Sequence, residues 1–469
     1  VTTTSRPQPW ALVPTAPSSR RERFLRRMRA ADLLTSLAVT SAAASVALYL
    51  AYGGAGDFIT LGGFVTSIGI ITGLVGTDLI LVMLVLAARI PLIDRVFGHD
   101  RAMATHRALG KPAIYLILAH TVLLIVGYGI SSHLDPVAET VSMWNLPDMP
   151  AAFIGLGFMI VVVVTSLVIV RRKFKYEFWY VVHLLSYVAV LTALPHQFSV
   201  GAMLAVGTGQ RVYWIALYVL ALGGIVVFRI AEPLVKSIQH DIRVTAVESI
   251  APGVASIHMS GRKLKALGSS GGQYFIWRFW TGRTWWHSHP ISLSAAPTDT
   301  RVRVTVRALG DGTTRLGRIP RGTRVSIEGP YGLFTDAGRT SPKLAIVAAG
   351  IGITPVRALL EDSRVAPGET TILLRGPEDE NFLWDEMEKL AGARGAHFYT
   401  SVGPRARGAH SWLSARDVAR NVSLRSVFPD FKNSDLYVCG PQAWTDAVIA
   451  DAKSYGLPDH QIHAERFDW

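Results

Sequence analysis

The sequence predicts a multidomain membrane protein: a six-helix transmembrane bundle, then a small antiparallel β-barrel, then a doubly wound α/β domain. Three observations carry this. Half of the 469 residues are hydrophobic and 17% are charged, against roughly 25% charged in soluble domains. The long apolar runs lie between residues 30 and 230. From about residue 235 the pattern turns to short β-rich segments broken by Gly and Pro, and then to strands alternating with helical stretches.

Residues 1–29 read as a disordered basic tail, with Pro7, Pro9, Pro14 and Pro17 set among Thr and Ser before a run of Arg. The bundle occupies 30–232, with spans near 31–52, 61–88, 107–130, 151–170, 179–199 and 211–228. Each approaches the ~20 apolar residues needed to cross the hydrocarbon core. The first is too long for a signal-peptide core, and further spans follow it.

Lys and Arg decide the orientation. Arg20, Arg21, Arg23, Arg26, Arg27 and Arg29 precede the first span, Arg89, Arg95, Arg101, Arg107 and Lys111 follow the second, and Arg171, Arg172, Lys173 and Lys175 follow the fourth. The alternate loops carry Asp57, Asp135, Glu139 and Asp148. The positive-inside rule therefore places both termini and the second half of the chain on the cytoplasmic side of the cell membrane. The net charge of +13 follows from this topology and from contact with anionic lipid. No nucleic-acid recognition motif accompanies it, so nucleic acid is not expected as a partner. One cysteine, Cys439, excludes disulfide frameworks, Cys-rich zinc sites, iron–sulfur clusters and c-type haem.

The third span holds His106 and, fourteen residues on, His120; the fifth holds His183 and His196, thirteen apart. Both helices run in the same direction, so the two levels match in depth and lie about 20 Å apart. Fourteen residues return to within about 40° of the starting face; thirteen miss by about 140°, so a bulge or kink is expected near Pro195. Ionisable groups in membranes are costly and usually functional. Two matched pairs without cysteine suit two bis-His b-type haems. Asp78, mid-span in the second helix, reads as a carboxyl paired to a Ser, Thr or backbone group, with a proton or polar-ligand site as the other reading.

The His pairs resemble those of the ferric reductase/NADPH oxidase family, whose haem-bearing helices show His-x13-His and His-x12-His. Ala88-Arg89-Ile90-Pro91 and Tyr176-Glu177-Phe178-Trp179 also look like bacterial members. The resemblance implies His106 with His183 for an inner haem and His120 with His196 for an outer one. Oxygen-reducing members often carry a further His one turn beyond the outer ligand, where this chain has Leu124.

The barrel is expected over 235–338, with strands Asp241–Glu248, Val254–Met259, Gln273–Phe279, Arg301–Arg307 and Arg324–Glu328. Within it, His289-Pro290-Ile291-Ser292-Leu293-Ser294 resembles the FAD motif of ferredoxin–NADP reductase-like proteins. The resemblance puts Ser292 near the flavin N5 and His289 where the family has a phosphate-binding Arg; Ile291 stands where it has an aromatic. Arg307-Ala308-Leu309-Gly310-Asp311-Gly312-Thr313 is similar to the second flavin segment, in which a cation and a turn with free N–H groups meet the pyrophosphate. Arg307 and Thr313 are its candidates. Glu328-Gly329-Pro330-Tyr331-Gly332 looks like the turn that closes the barrel.

Residues 339–469 read as a nucleotide domain. Lys343–Ala349 is a continuous apolar strand, followed by Gly350-Ile351-Gly352-Ile353-Thr354-Pro355 and a helix through about Asp362. A Gly-rich turn there brings a dinucleotide pyrophosphate to the helix N-terminus, although the same turn also reads as a plain strand-to-helix connection. Thr371–Arg375, His397–Ser401 and Leu436–Cys439 continue the sheet.

Gly350, Gly352, Thr354 and Pro355 resemble the family's Gly-x-Gly-x-x-Pro, and Cys439-Gly440-Pro441 its Cys-Gly-Pro beside the nicotinamide. Family likeness also implies that Trp469, or Phe467, covers the flavin, and groups Glu465 with Cys439, Ser292 and Trp469 where hydride moves. Ser401, Arg405 and Arg407 are candidates for the 2′-phosphate of NADPH, and Arg375 for the ribose or pyrophosphate; NADH remains an alternative.

The implied function is electron transfer from cytoplasmic NAD(P)H through FAD and two haems to an extracytoplasmic acceptor: ferric chelate, oxygen or quinone. No obligatory protein partner is implied. The alternative is a membrane haem sensor or anchor with a degenerate reductase tail.

Overall fold

The computed structural model describes residues 17–167, 170, 173–174, 176–282, 286–378, 381–408 and 411–465. It divides into two compact units. One comprises Ala30–Ile93 and His99–Ile230; the other comprises Asp94–Gly98, the residues from Ala231 onward and the start of the first helix through Arg29.

The helices of the first half are α1 (Pro17–Tyr49), α2 (Leu61–Ala87), α3 (Pro91–Phe97), α4 (His99–Ser132), α5 (Pro136–Trp144), α6 (Met149–Ser166), α7 (Tyr176–Ser199), α8 (Gly209–Ile225) and α9 (Glu232–His240). Six helical segments among the described residues are long and apolar enough to span a membrane. Local chemistry starts them where side chains can satisfy orphan N–H groups. The Thr60 hydroxyl accepts from Gly63 N–H at 3.0 Å ahead of α2. The Asp135 carboxylate accepts from Val137 and Ala138 at 2.9 and 3.1 Å ahead of α5. Pro195 sits inside α7 without ending it.

Small residues bring α2 and α4 together, as is common where helices pack in lipid. A Cβ added at Gly62 would lie 2.3 Å from Ser131 Oγ, at Gly69 2.9 Å from Leu124 Cδ2, and at Gly73 2.3 Å from His120 Nδ1. From the other helix, a Cβ at Gly127 would lie 2.4 Å from Thr66 Oγ1. Asp78 is buried and accepts a hydrogen bond from Ser41 Oγ at 2.5 Å, and Tyr213 OH donates to Ser41 O at 2.9 Å. The carboxyl thus has the serine partner of the plainer reading, supplied by α1.

Residues 17–29, expected in a disordered tail, are helical and continue into α1. Arg, Glu, Leu and Met there favour helix, and a folded surface receives them. Arg20 is buried and donates to Ser341 O at 3.2 Å, and the Phe24 ring lies 5.5 Å from that of His460.

The second unit holds two sheets. The antiparallel one is built from β1 (Ile242–Ala251), β2 (Val254–Ser260), β3 (Tyr274–Phe279), β4 (His289–Ser292), β5 (Arg301–Arg307) and β6 (Arg324–Tyr331), in the order β4-β3-β6-β1-β2-β5. A bridge between Leu293 and Val304 and a bond from Ser294 N to Arg303 O at 2.9 Å join its first strand to its last and close the barrel. Phe275, Trp277, Phe279, Ile257, Val304 and Ile327 fill its interior.

The parallel sheet is built from β7 (Lys343–Ala349), β8 (Thr370–Gly376), β9 (His397–Val402), β10 (Ser434–Cys439) and β11 (Ile462–Glu465), in the order β11-β10-β7-β8-β9. Helix α10 (Asp311–Leu316) belongs to the barrel, while α11 (Ile353–Asp362), α12 (Trp384–Ala393), α13 (Ala415–Ala419), α14 (Leu424–Val427) and α15 (Gln442–Ser454) belong to the nucleotide domain. Leu344, Ile346 and Ala348 pack with α11 and α12, and Ala345, Val347 and Ala349 with α14 and α15. A strand buried on both faces reads as a continuous apolar run, which is why β7 stands out in the sequence.

Candidate functional site

In the membrane unit, His106 and His120 project from α4 and His183 and His196 from α7. The ring centroids of His106 and His183 are 6.2 Å apart. Two imidazoles on opposite sides of one metal, each bound at about 2.0 Å, would place their ring centres about 6 Å apart. His120 and His196 lie further along the same two helices.

The tautomers follow from the partners. Nδ1 of His106 meets Met83 O at 3.1 Å, Nδ1 of His120 meets Gly69 O at 2.8 Å, and Nδ1 of His196 meets Ala193 O. A carbonyl only accepts, so each Nδ1 carries the hydrogen and each Nε2 keeps its lone pair. This is the arrangement that orients a metal-ligating histidine. The His183 ring stacks on Trp179 at 5.0 Å. Each pair brings imidazole nitrogens without cysteine, a donor set that would suit a b-type haem.

In the barrel, Ser292 ends β4 opposite Tyr274 of β3. Its Oγ is buried without a hydrogen-bond partner among the described residues, as is His289 Nε2. Such atoms in a native fold call for a ligand or water, and both lie on β4. Burial, with His287 beside it, holds His289 down at about 4. Its Cε1 lies 3.5 Å from where a Cβ on Gly312 would sit, so β4 and the start of α10 lie side by side. The turn itself differs from expectation. Thr313 Oγ1 accepts from Leu309 N–H at 2.9 Å and Gly310 N–H at 3.2 Å, so two groups expected to be free are already satisfied. Arg307 ends β5.

In the parallel sheet the chain leaves β7 toward β8 on one side, while β10 flanks it on the other. Connections from these neighbours diverge at their C-terminal ends, and the crevice between them is where doubly wound sheets bind nucleotides. Gly350–Gly352 forms one wall and Gly440-Pro441 the other. Gly350 adopts φ +54, which favours glycine. A Cβ at Gly352 would lie 2.2 Å from Cys439 O, so only glycine lets the turn approach β10. Thr354 and Pro355 open α11, both buried. Cys439 is buried and pairs in register with Glu465. Burial, then the Glu465 carboxylate, pushes the thiol well above its ordinary value. It stays a neutral thiol, unsuited to attack as a thiolate. Glu465 Oε2 lies 3.8 Å from a Cβ placed on Gly332, next to the ring of Tyr274. Ser292, Tyr274, Gly332, Glu465 and Cys439 thus gather at one junction. Phe467 and Trp469 lie outside the described residues.

At the end of the crevice where adenosine is expected, Ser401 is engaged within the protein. Its hydroxyl is buried, donates to Asp417 Oδ2 at 2.5 Å and accepts from Ser414 N at 3.0 Å. Arg405 donates through Nε to Ser411 O at 2.6 Å. Arg375 donates to Gly403 O at 2.6 Å, and its buried Nε has no partner among the described residues. Burial, then Arg405, lowers the pKa of Arg375, so the two cations sit together. The sequence did not reveal Tyr274, Asp417 or the carbonyls of Met83 and Gly69. Only the small-residue spacing Gly69-x3-Gly73 hinted at a close helix contact.

Fold and site define a membrane oxidoreductase. Residues 72–194 match the family model for the ferric reductase like transmembrane component, and residues 241–335 match that for an FAD-binding domain. The chain is an oxidoreductase of ferric reductase type with an FAD-binding domain.

It is similar to ferredoxin–NADP reductase B of Sorangium cellulosum, 29% identical over 170 residues that cover 34% of this chain and 68% of that protein. It is also similar to the ferredoxin reductase component of 3-ketosteroid-9-alpha-monooxygenase from Rhodococcus rhodochrous, 26% identical over 203 residues, 42% of this chain and 55% of that one. Among solved structures, the FAD/NAD-binding domain of nitric oxide dioxygenase from Vibrio cholerae aligns at 20% identity and a TM-score of 0.39, covering 49% of this chain and 99% of that one. The chain spans about half to two thirds of the length of these curated relatives.

Proposed function

We propose that this chain carries electrons from cytoplasmic NADPH across the cell membrane to an acceptor on the far side, ferric chelate or oxygen, with both termini in the cytoplasm. The observation that carries the reading is the pair of histidines His106 and His183, 6.2 Å apart in the membrane unit, echoed by His120 and His196 further along the same helices. Bound FAD would exchange a hydride's electron pair for single electrons, and two b-type haems would relay these singly.

The residues supply position. His106 with His183 and His120 with His196 would hold two haems; Nδ1 of His106, His120 and His196 meets a backbone carbonyl, which leaves the Nε2 of each its lone pair for a metal. Ser292 Oγ and His289 Nε2 face the flavin with open hydrogen-bonding capacity. Gly352 keeps the nucleotide turn against Cys439, whose neutral thiol borders the nicotinamide. Arg405 and Arg375 meet the adenosine phosphate and ribose. Similarity to a ferredoxin–NADP reductase supports a pyridine nucleotide as donor.

The test is cofactor stoichiometry followed by reduction. Pyridine haemochrome and FAD quantitation should return two haems per flavin, and anaerobic NADPH should bleach the flavin and shift the haem Soret band. A haem-to-flavin ratio near one refutes the two-haem arrangement, and an unreduced flavin refutes the electron path. Ferric-chelate reduction under anaerobiosis, set against superoxide yield in air, identifies the acceptor.

A further inference from the structure

Three carboxylates of the nucleotide domain reach into the barrel. Asp362 accepts from Gly271 N–H at 2.9 Å, and Glu361 accepts from Ala296 N–H at 2.6 Å. Glu386, on α12, takes the guanidinium of Arg303 on β5 through both oxygens, at 3.0 and 2.9 Å. Arg357, on α11, answers from the other side, with Nε on Glu386 at 2.8 Å and Nη1 on Glu361 at 2.6 Å.

Both arginines converge on Ser294. Arg303 donates to its carbonyl at 2.8 Å and to its hydroxyl at 3.2 Å, and Arg357 donates to the same carbonyl at 3.1 Å. Thr305 adds a bond to Ser294 Oγ at 2.9 Å. Ser294 lies two residues beyond Ser292, and Arg357 sits five beyond Gly352. The network therefore joins the strand end of the flavin pocket to the helix that opens the nucleotide crevice.

Glu386 is the joint, since it binds both guanidiniums. Burial alone would raise its pKa, but bonds and charge from Arg303 and Arg357 hold it below the usual carboxylate range. Side-chain exposures of 14% and 10% leave the two arginines little water. Without the Glu386 carboxylate, Arg303 would lose its ion pair and face Arg357, which keeps only Glu361, as a poorly solvated like charge; the bond that holds the guanidinium of Arg357 to Ser294 O would then loosen.

We propose that Glu386 is a positioning residue for hydride transfer: by bridging Arg303 and Arg357 it sets the separation between the flavin strand at Ser292 and the nucleotide turn at Gly352. The inference rests on the proposed NAD(P)H-to-flavin reaction, in which a hydride, two electrons with one proton, leaves the nicotinamide and reduces the flavin. Glu386 touches neither group. Its effect is on distance, to which such a transfer is steeply sensitive, since a misplacement of about 1 Å can cost 10²-fold.

The experiment compares full-length wild type with Glu386→Gln by anaerobic stopped-flow reduction of bound FAD over a range of NADPH concentrations. The expected result is a limiting reduction rate lowered roughly 10- to 100-fold, with FAD content and half-saturating NADPH changed less than about threefold. Hydrogen exchange gives a second readout that needs no turnover. Amides of Gly271 and Ala296 should exchange faster in the variant, while those of β7 and β10 stay as in wild type. An unchanged limiting rate at wild-type FAD content overturns the proposal.

If Glu386→Gln does not retain FAD, Glu386→Asp and Arg303→Lys decide. A graded fall in rate at wild-type FAD content supports the proposal, and wild-type rates in both overturn it. A wild type whose flavin neither NADPH nor NADH reduces overturns the proposed function itself, and this inference with it.

Discussion

Gly73→Ala tests the membrane site through a single methyl group. The added Cβ would lie 2.3 Å from His120 Nδ1, 2.7 Å from Cε1 and 2.8 Å from Cγ. Ordinary van der Waals contact needs roughly 3.5 Å or more, so the ring must retreat by about 1 Å. It is tied to Gly69 O through Nδ1 at 2.8 Å, and a retreat breaks that bond. Overpacking costs about 1–3 kcal/mol and the lost bond about 0.5–1.5 kcal/mol. A combined cost of about 2–4 kcal/mol corresponds to a roughly 30- to 1,000-fold loss of affinity for a group held by His120. The inner pair, His106 and His183, is untouched.

The variant should therefore keep the inner haem and lose most of the outer one, with the haem-to-FAD ratio falling from two toward one. Gly76→Ala is the control, because its Cβ would meet Ile117 Cδ1 and Cγ1 and Leu116 Cβ at the longer distances of 3.0–3.2 Å, and the nearest atoms include none of a histidine. Pyridine haemochrome and FAD assays on both variants read the outcome. Two full haems with an unaltered Soret band in Gly73→Ala would refute the assignment of His120 as a ligand.

Three further outcomes are expected. Cys439→Ala should slow flavin reduction with little loss of bound FAD, since the thiol lies in the nucleotide crevice; a wild-type rate in stopped flow removes it from the reaction. Arg405→Ala should raise KM for NADPH and leave NADH nearly unchanged, with a loss of ~1.5–3 kcal/mol, or roughly ten- to hundredfold in kcat/KM; equal effects on both nucleotides refute a 2′-phosphate contact. His289 should make FAD-free protein acid-sensitive. Its pKa is 6.5 unfolded and about 4 folded, so between these values the unfolded state binds more protons. The contribution, up to about 3 kcal/mol, is complete above pH 6.5 and is lost as pH falls toward 4. Thermal melts of wild type and His289→Gln that stay parallel across that window would show that His289 is not buried neutral.

Local patterns made much of the molecule legible. The spans follow from length and apolarity, and β7 from burial on both faces. The four histidines follow from spacing along two helices. β4 was not foreseen as a strand, because His289–Ser292 is four residues long with a proline inside. Only cross-strand pairing with Tyr274–Trp277 makes it one. β11 escaped for the same reason: it has four residues, aligned by β10.

What tertiary structure decided lies between residues far apart in the chain. The sequence determined that Asp78 sits within the membrane, and the packing of α1 and α8 determined that Ser41 and Tyr213 attend it. A serine followed by arginines suggested a phosphate site, yet the turn at Ser414–Asp417 takes the Ser401 hydroxyl for itself. The run before the first span suggested disorder, yet Arg20 finds Ser341 more than three hundred residues away. Glu386 showed no motif at all, because its role depends on guanidiniums from β5 and α11 arriving on the same carboxylate. Periodicity and composition are set by neighbours along the chain, so they predict elements and the faces they bury. Hydrogen-bond partners and charge pairs depend on how those elements close on one another, which a local pattern does not encode.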